Sequence, residues 1–294
     1  MHWTTLVLPL TFLFTPVYSA PTQKSSSIAS STTVSRATWL WQSELISDTS
    51  KVSEFISFAT AQGVSRVYAG VNADISNADW QSFISACTAN GVEVDALFGN
   101  PNWILGSGTP TLQAQLNWIE QYQGNTTSED QRFTGIHMDI EPWVLDDWEA
   151  NKSSYVSILQ TLVQQIRTFA SGKGLSLATD LPFWANEIVT SDGSTLDVWM
   201  LDTIDSATFM TYRNNVDAFM DIAAAALKLA GTSEKEVWLA VEMTEQSDGD
   251  LISYYGKGGS TLTSDLAAIS EQVAGIVAGI AVHDYNGWVE LMSS

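Results

Sequence analysis

The chain has a single cysteine, Cys87, so no disulfide can form within it, and a fold of 294 residues must be held by the size of its core. Basic residues are scarce: 12 Lys and Arg stand against 33 Asp and Glu, a formal net charge of -21. Such a surface repels phosphate backbones and anionic lipid, which argues against a nucleic-acid-binding or peripheral membrane role. Charged residues make up only 15%, too few for a charge-rich disordered scaffold, while 45% are hydrophobic. Beyond the first twenty residues no apolar run approaches the roughly 20 residues needed to cross a bilayer. Nucleotide and flavin fingerprints, a phosphate loop and a G-x-S-x-G elbow are all missing. What is there is an acidic, aromatic-rich sequence with 12 Trp.

Residues 3–17 are apolar and small residues follow at Ser19 and Ala20, the pattern of a secretory signal peptide over 1–20, though only His2 stands where a basic segment is usual. Residues 21–36 form a Ser/Thr-rich leader with little to bury, expected to be disordered. Two N-glycosylation sequons, Asn125-Thr126-Thr127 and Asn151-Lys152-Ser153, agree with export, so a secreted, extracellular protein is expected. Cys87 lies in a helical stretch (80–90) beside Phe83 and Ile84 and reads as a buried thiol.

From residue 37 short β-type runs alternate with longer amphipathic ones. The strand candidates are 38–42, 66–71, 92–98, 135–140, 175–180, 207–212, 237–241 and 279–283. Helical patterns cover 51–62, 79–90, 112–121, 153–171, 216–229 and 262–273, and the segment after the fifth strand has the weakest pattern. Gly63, Gly91, Gly172, Gly231 and Gly275 fit helix C-caps. Eight such units over 37–294 predict an α/β fold, a single (β/α)8 TIM barrel, whose usual length is about 250 residues. A doubly wound open sheet would need a Gly-rich first turn, and Ser43-Glu44-Leu45-Ile46 follows the first strand instead. Barrel enzymes carry their chemistry at the C-terminal strand ends, so those ends are the places to search.

The fourth strand reads Gly135-Ile136-His137-Met138-Asp139-Ile140-Glu141-Pro142-Trp143. Alternation turns Ile136, Met138 and Ile140 toward the helices and His137, Asp139 and Glu141 into the barrel. Two carboxylates on one inward row raise each other's pKa, and one of them can then donate a proton near working pH. A structural hydrogen-bond network is the alternative reading of the pair.

Asp139-Ile140-Glu141 on the fourth strand, Met210-Thr211-Tyr212 on the sixth and Trp288 after the eighth resemble the chitinase-type glycoside hydrolases of family 18, with their D-x-x-D-x-D-x-E strand, M-x-Y strand and late tryptophan. The resemblance implies a glycosidase with Glu141 as proton donor, Asp139 as its partner and Tyr212 as hydrogen-bond donor to a substrate N-acetyl group. Thr134 and His137 occupy the two earlier acidic positions of the motif, and Arg213 follows Tyr212 where that family usually has Asp.

Glu242 ends the seventh strand on its inward face, as a nucleophile does in many other retaining barrel glycosidases, although Ile140 stands where those tend to carry Asn before the acid. Substrate ligand and partner of Arg213 are the other readings of Glu242, and only a carboxyl separation near 5 Å from Glu141 would support direct attack. The remaining rim candidates are Trp39 and Trp41 on the first strand, Tyr68 and Asn72 on the second, and Asn100 and Trp103 after the third. Asp180, Phe183 and Trp184 follow at the fifth, with His283, Asp284, Tyr285 and Trp288 at the eighth. Aromatic faces stack on pyranose C–H faces, and Asp, Asn and Tyr supply directed hydrogen bonds. Trp118, Trp148 and Trp199 read as packing.

The expectation is therefore hydrolysis of a neutral or amino-sugar polysaccharide at acid pH, by a monomer without cofactor, nucleic acid or membrane. Two other classes remain open at this point. His137, Asp139, Glu141 and His283 could meet a divalent ion in a metal-dependent hydrolase or deacetylase, although no recognisable ligand spacing is present and the site reading itself includes no metal. A sugar-binding barrel without turnover would keep the aromatics and give binding alone.

Overall fold

The structure, a computed structural model, describes residues 34–247 and 250–293. The predicted signal peptide and nearly all of the leader lie outside the described residues. Eight parallel strands hydrogen-bond in chain order and close on themselves: β1 (Ser35–Leu40), β2 (Val64–Gly70), β3 (Glu93–Phe98), β4 (Gly135–Met138), β5 (Ser176–Pro182), β6 (Ser206–Met210), β7 (Glu236–Glu242) and β8 (Gly279–His283). Each is followed by a helix: α1 (Thr49–Gln62), α2 (Asn77–Ala89), α3 (Thr109–Asn125), α4 (Trp148–Gly172), α5 (Leu196–Thr203), α6 (Val216–Ala230), α7 (Gly259–Val273) and α8 (Tyr285–Met292). This is the (β/α)8 barrel that the alternation predicts.

Local chemistry sets the boundaries. Asp48 caps α1 by accepting from the Ser50 and Lys51 amides, and Gly63 ends it at φ 69°, a left-handed conformation that a side chain disfavours. Ser76 and Asn215 cap α2 and α6 in the same way. Helix α4 ends on Gly172 itself, Lys173 rather than the glycine is its C-cap, and the left-handed turn falls on Gly174. The first strand opens at Ser35, within the stretch predicted as leader, because the Arg36 backbone pairs with both β2 and β8 and its guanidinium donates to Ser270 Oγ. Helix α8, for which the sequence offered no separate pattern, is short and capped by Asp284.

Two apolar layers follow from the strand period. Ile136, Met138 and Ile140 face outward into the layer between sheet and helices, where Cys87 is also buried. Ala37, Trp39, Tyr68, Leu97, Trp238, Ala240 and Ala281 fill the barrel interior. At the N-terminal floor Arg66 meets Glu93 at 2.5 Å, Glu236 at 3.6 Å and Asp95 at 3.7 Å, so the buried Asp95 has a cation beside it.

Ile136 is fully buried in the outer layer. Ile136→Ala is expected to cost about 2–5 kcal/mol of stability. Urea titration checks this, and a loss below about 1 kcal/mol would contradict the packing described.

Candidate active site

The mouth of the ring is built from the C-terminal ends of β4 to β8 and β1. The last β4 residue is Met138, yet the Asp139 amide still donates to the Phe98 carbonyl (3.0 Å), which carries the extended backbone one step past the strand. Gly99 makes that possible. A Cβ on residue 99 would lie 1.7 Å from the Asp139 carbonyl oxygen, so only glycine admits this approach.

Asp139 and Glu141 sit partly buried at the mouth and share a carboxyl–carboxyl hydrogen bond. Asp139 Oδ1 is buried without a hydrogen-bond partner. Burial, then the charges of Asp180 and Glu141, push the Asp139 carboxyl well above its ordinary range. Burial also raises Glu141; Trp143 Nε1 donates to its Oε2 (2.8 Å) and opposes that rise without cancelling it. Both carboxyls of the pair are therefore shifted toward the protonated form.

Asp180, at the end of β5, supports the layer beneath. Its Oδ2 accepts from Trp39 Nε1 (3.1 Å), and Oδ1 lies 2.9 Å from His137 Nε2, off the line of the ring N–H. His137 is fully buried and stacks on Tyr68 with ring centroids 3.7 Å apart. Trp39 packs edge-on to Tyr68, His137 and His283 and forms the bottom of the cup. Tyr212, just past β6, is pushed well above its ordinary range by burial and by the charges of Glu242, Asp180, Asp139 and Glu141. It is a protonated phenol among four carboxyl groups.

The structure brings Asp139, Glu141, Asp180, Tyr212, Glu242, His283 and Trp41 together, and places other candidates elsewhere. Glu242 is 2% exposed: Oε1 accepts from the Thr244 amide (2.7 Å) and hydroxyl (2.8 Å), and Oε2 stands 3.0 Å from His283 Nδ1. Both oxygens are occupied, so neither is presented for attack on a sugar, and the partner of Glu242 is His283 rather than Arg213. Arg213 donates to the Tyr212 carbonyl and lies over Phe183. Tyr285 and Trp288 are on α8, packed against Phe55 and Phe58 of α1, which puts the late tryptophan in the helix layer; the aromatic at the end of β8 is His283. Asn100 is exposed and uses its side chain to accept from the Asn102 amide in its own turn. Trp184 stands beside Trp143 (6.1 Å between rings). Trp143 and Thr244 were missed from sequence; their spacing, two residues after Glu141 and Glu242, was the available signal. The His283–Asp284 peptide is cis.

A cavity of about 460 Å³ opens beside the cup at the ends of β1 to β3, lined by Trp41, Gly70, Asn72, Phe98, Gly99 and Trp118. Among the described residues no group of three or more His, Cys, Asp or Glu is arranged to hold a metal ion.

No family model matches the sequence, and no curated protein matches it. Solved structures do. A GH18 chitinase from Pseudoalteromonas aurantia superposes with a TM-score of 0.56 at 15% identity, covering 88% of this chain and 98% of that one. The C-terminal domain of a putative chitinase from Desulfitobacterium hafniense gives 0.55 at 11% identity, over 87% of this chain and 94% of that one. A Cycas revoluta GH18 chitinase in complex with (GlcNAc)3 gives 0.52 at 11%, over 87% and 96%. At these identities the likeness is one of fold, and the resemblance to family 18 is distant.

A carboxyl raised on folding binds its proton more tightly in the native state, so stability falls as pH climbs from the ordinary aspartate range toward the elevated native value. Asp139→Asn cannot ionise. Its melting temperature is expected to gain on the wild type's steadily across that window, and parallel melting curves at every pH would contradict the assignment.

Proposed function

We propose that the chain is a glycoside hydrolase acting on amino-sugar polymers of the chitin type. The observation that carries the reading is the adjacent Asp139 and Glu141 carboxyls, both raised in pKa, at the mouth of a closed barrel with Tyr212 beside them. Glu141, protonated, donates to the leaving glycosidic oxygen and then, as carboxylate, activates water. In the resting pair the proton lies on Asp139; it passes to Glu141, which donates it, and Asp139 is left as a carboxylate. Tyr212 donates a hydrogen bond to the N-acetyl oxygen of the sugar in the cup, which orients that group toward the anomeric carbon. The chitinase folds named above support this reading, and the occupied oxygens of Glu242 favour an acetamido nucleophile over a protein carboxylate.

The same reading includes export, with cleavage after residue 19 or 20. Edman sequencing of the protein from the culture medium is expected to begin at Ala20 or Pro21, and an intact Met1 there would refute it.

Glu141→Gln is expected to lower kcat/KM on chitooligosaccharides by roughly 10²–10⁴ while the circular dichroism spectrum and sugar binding persist. An active Glu141→Gln protein would remove the assignment. Wild-type binding without turnover across a panel of glycans would select a non-catalytic barrel instead.

A further inference from the structure

One hydrogen bond at the mouth ends on the proposed acid itself. Directly after Glu141 the chain makes a short 3-10 turn, Pro142–Val144, closed by the Val144 amide on the Glu141 carbonyl (3.2 Å). The turn folds side chain 143 back, and Trp143 Nε1 donates to Glu141 Oε2 at 2.8 Å. The indole is wedged in place. Trp148, the first residue of α4, and Trp184, past β5, stand edge-on to it, with 6.4 and 6.1 Å between rings. Packing on two sides fixes the direction of the N–H.

An indole nitrogen only donates, so Oε2 offers it a lone pair. A proton on Oε2 would spoil that acceptor, and Oε1 is the oxygen left to carry one. The bond also strengthens as charge grows, since hydrogen bonds to a carboxylate are roughly twice as strong as those to a neutral acceptor. The titratable groups around Glu141 are Asp139 of its own segment, Asp180 of β5, Tyr212 past β6 and His283 of β8, and burial works against its charge. Of these only His283 can carry a positive charge, and its Nδ1 faces Glu242. The N–H of Trp143 is the donor in direct contact with Glu141.

We propose that Trp143 is a positioning residue for Glu141: its indole N–H pins Oε2, leaves Oε1 as the oxygen that takes and gives the proton, and steadies the carboxylate that forms as the proton departs. This rests on the reading of Glu141 as the acid. In that step the proton moves from Oε1 to the glycosidic oxygen, the bond from that oxygen to the anomeric carbon breaks, and the O–H electron pair stays on Glu141. The new charge arises where a donor is already aimed, so nothing has to reorganise.

The test uses the full chain with ¹³C in the glutamate carboxyls, and Glu141→Gln identifies the signal of interest. Trp143→Phe keeps a ring and removes the N–H. It is expected to raise the proton affinity of Glu141 roughly tenfold, read as an upward shift of its carboxyl titration, and to lower kcat on chitooligosaccharide roughly tenfold with KM little changed. Trp148→Phe controls for packing, because the Trp148 Nε1 is buried without a hydrogen-bond partner. It is expected to leave the Glu141 titration in place. An unmoved titration or an unchanged kcat in Trp143→Phe, or an equal shift in Trp148→Phe, would overturn the proposal. Should Trp143→Phe fail to fold, the indole ¹⁵N–¹H signals of the wild type decide. One of them is expected to titrate together with the Glu141 carboxyl and to stop doing so in Glu141→Gln; if none does, the proposal falls. A wild type that hydrolyses no chitooligosaccharide would defeat the glycosidase reading, while the carboxyl and indole titrations would still decide the hold of Trp143 on Glu141.

Discussion

Closure of eight strands into a ring is the constraint from which the rest follows. A barrel of this size has an interior just wide enough for side chains. Every second residue of a strand points into that space, and a polar group there has to find its partner within it or at the open mouth. Large rings fill the middle: Trp39, Tyr68 and Trp238 pack together in the barrel interior. The acids that the strands carry inward are therefore largely buried.

The distribution of partners then decides what each acid can do. Asp95 faces Arg66, Asp180 holds Trp39 and sits against His137, and Glu242 is tied to His283 and Thr244. These carboxyls are compensated where they lie. Asp139 and Glu141 have each other and Trp143, with no cation in hydrogen-bond contact among the described residues, and both are shifted toward the protonated form. The proposed chemistry falls on the pair that the scaffold leaves uncompensated. His137 is instructive here, because at a position that is acidic in the chitinase-type motif a ring stacked on Tyr68 puts no further negative charge beneath Asp139.

Much of this was readable without coordinates. The strand period placed His137, Asp139 and Glu141 inward, and the alternation of runs led to the barrel, because both are local consequences of residue type. The misreadings share a cause. The place of Trp288 after β8 predicts a position at the mouth, yet α8 turns that residue toward Phe58. Glu242 was weighed as a nucleophile from its inward face, yet residue 244, two positions on, folds back to occupy one of its oxygens. The leader was drawn through Arg36 because Ser and Thr dominate there, while strand pairing on both sides takes it into β1.

By itself the sequence determined the order and kind of elements, the inward row on β4 and the residue types at each strand end, since propensity and a period of two act between neighbours in the chain. Only the tertiary structure decided which acids keep a free oxygen and which tryptophan meets the cup. Those outcomes depend on partners far apart in sequence, such as Trp41 with His283 or Trp39 with Asp180, and their pairing exists only once the ring has closed.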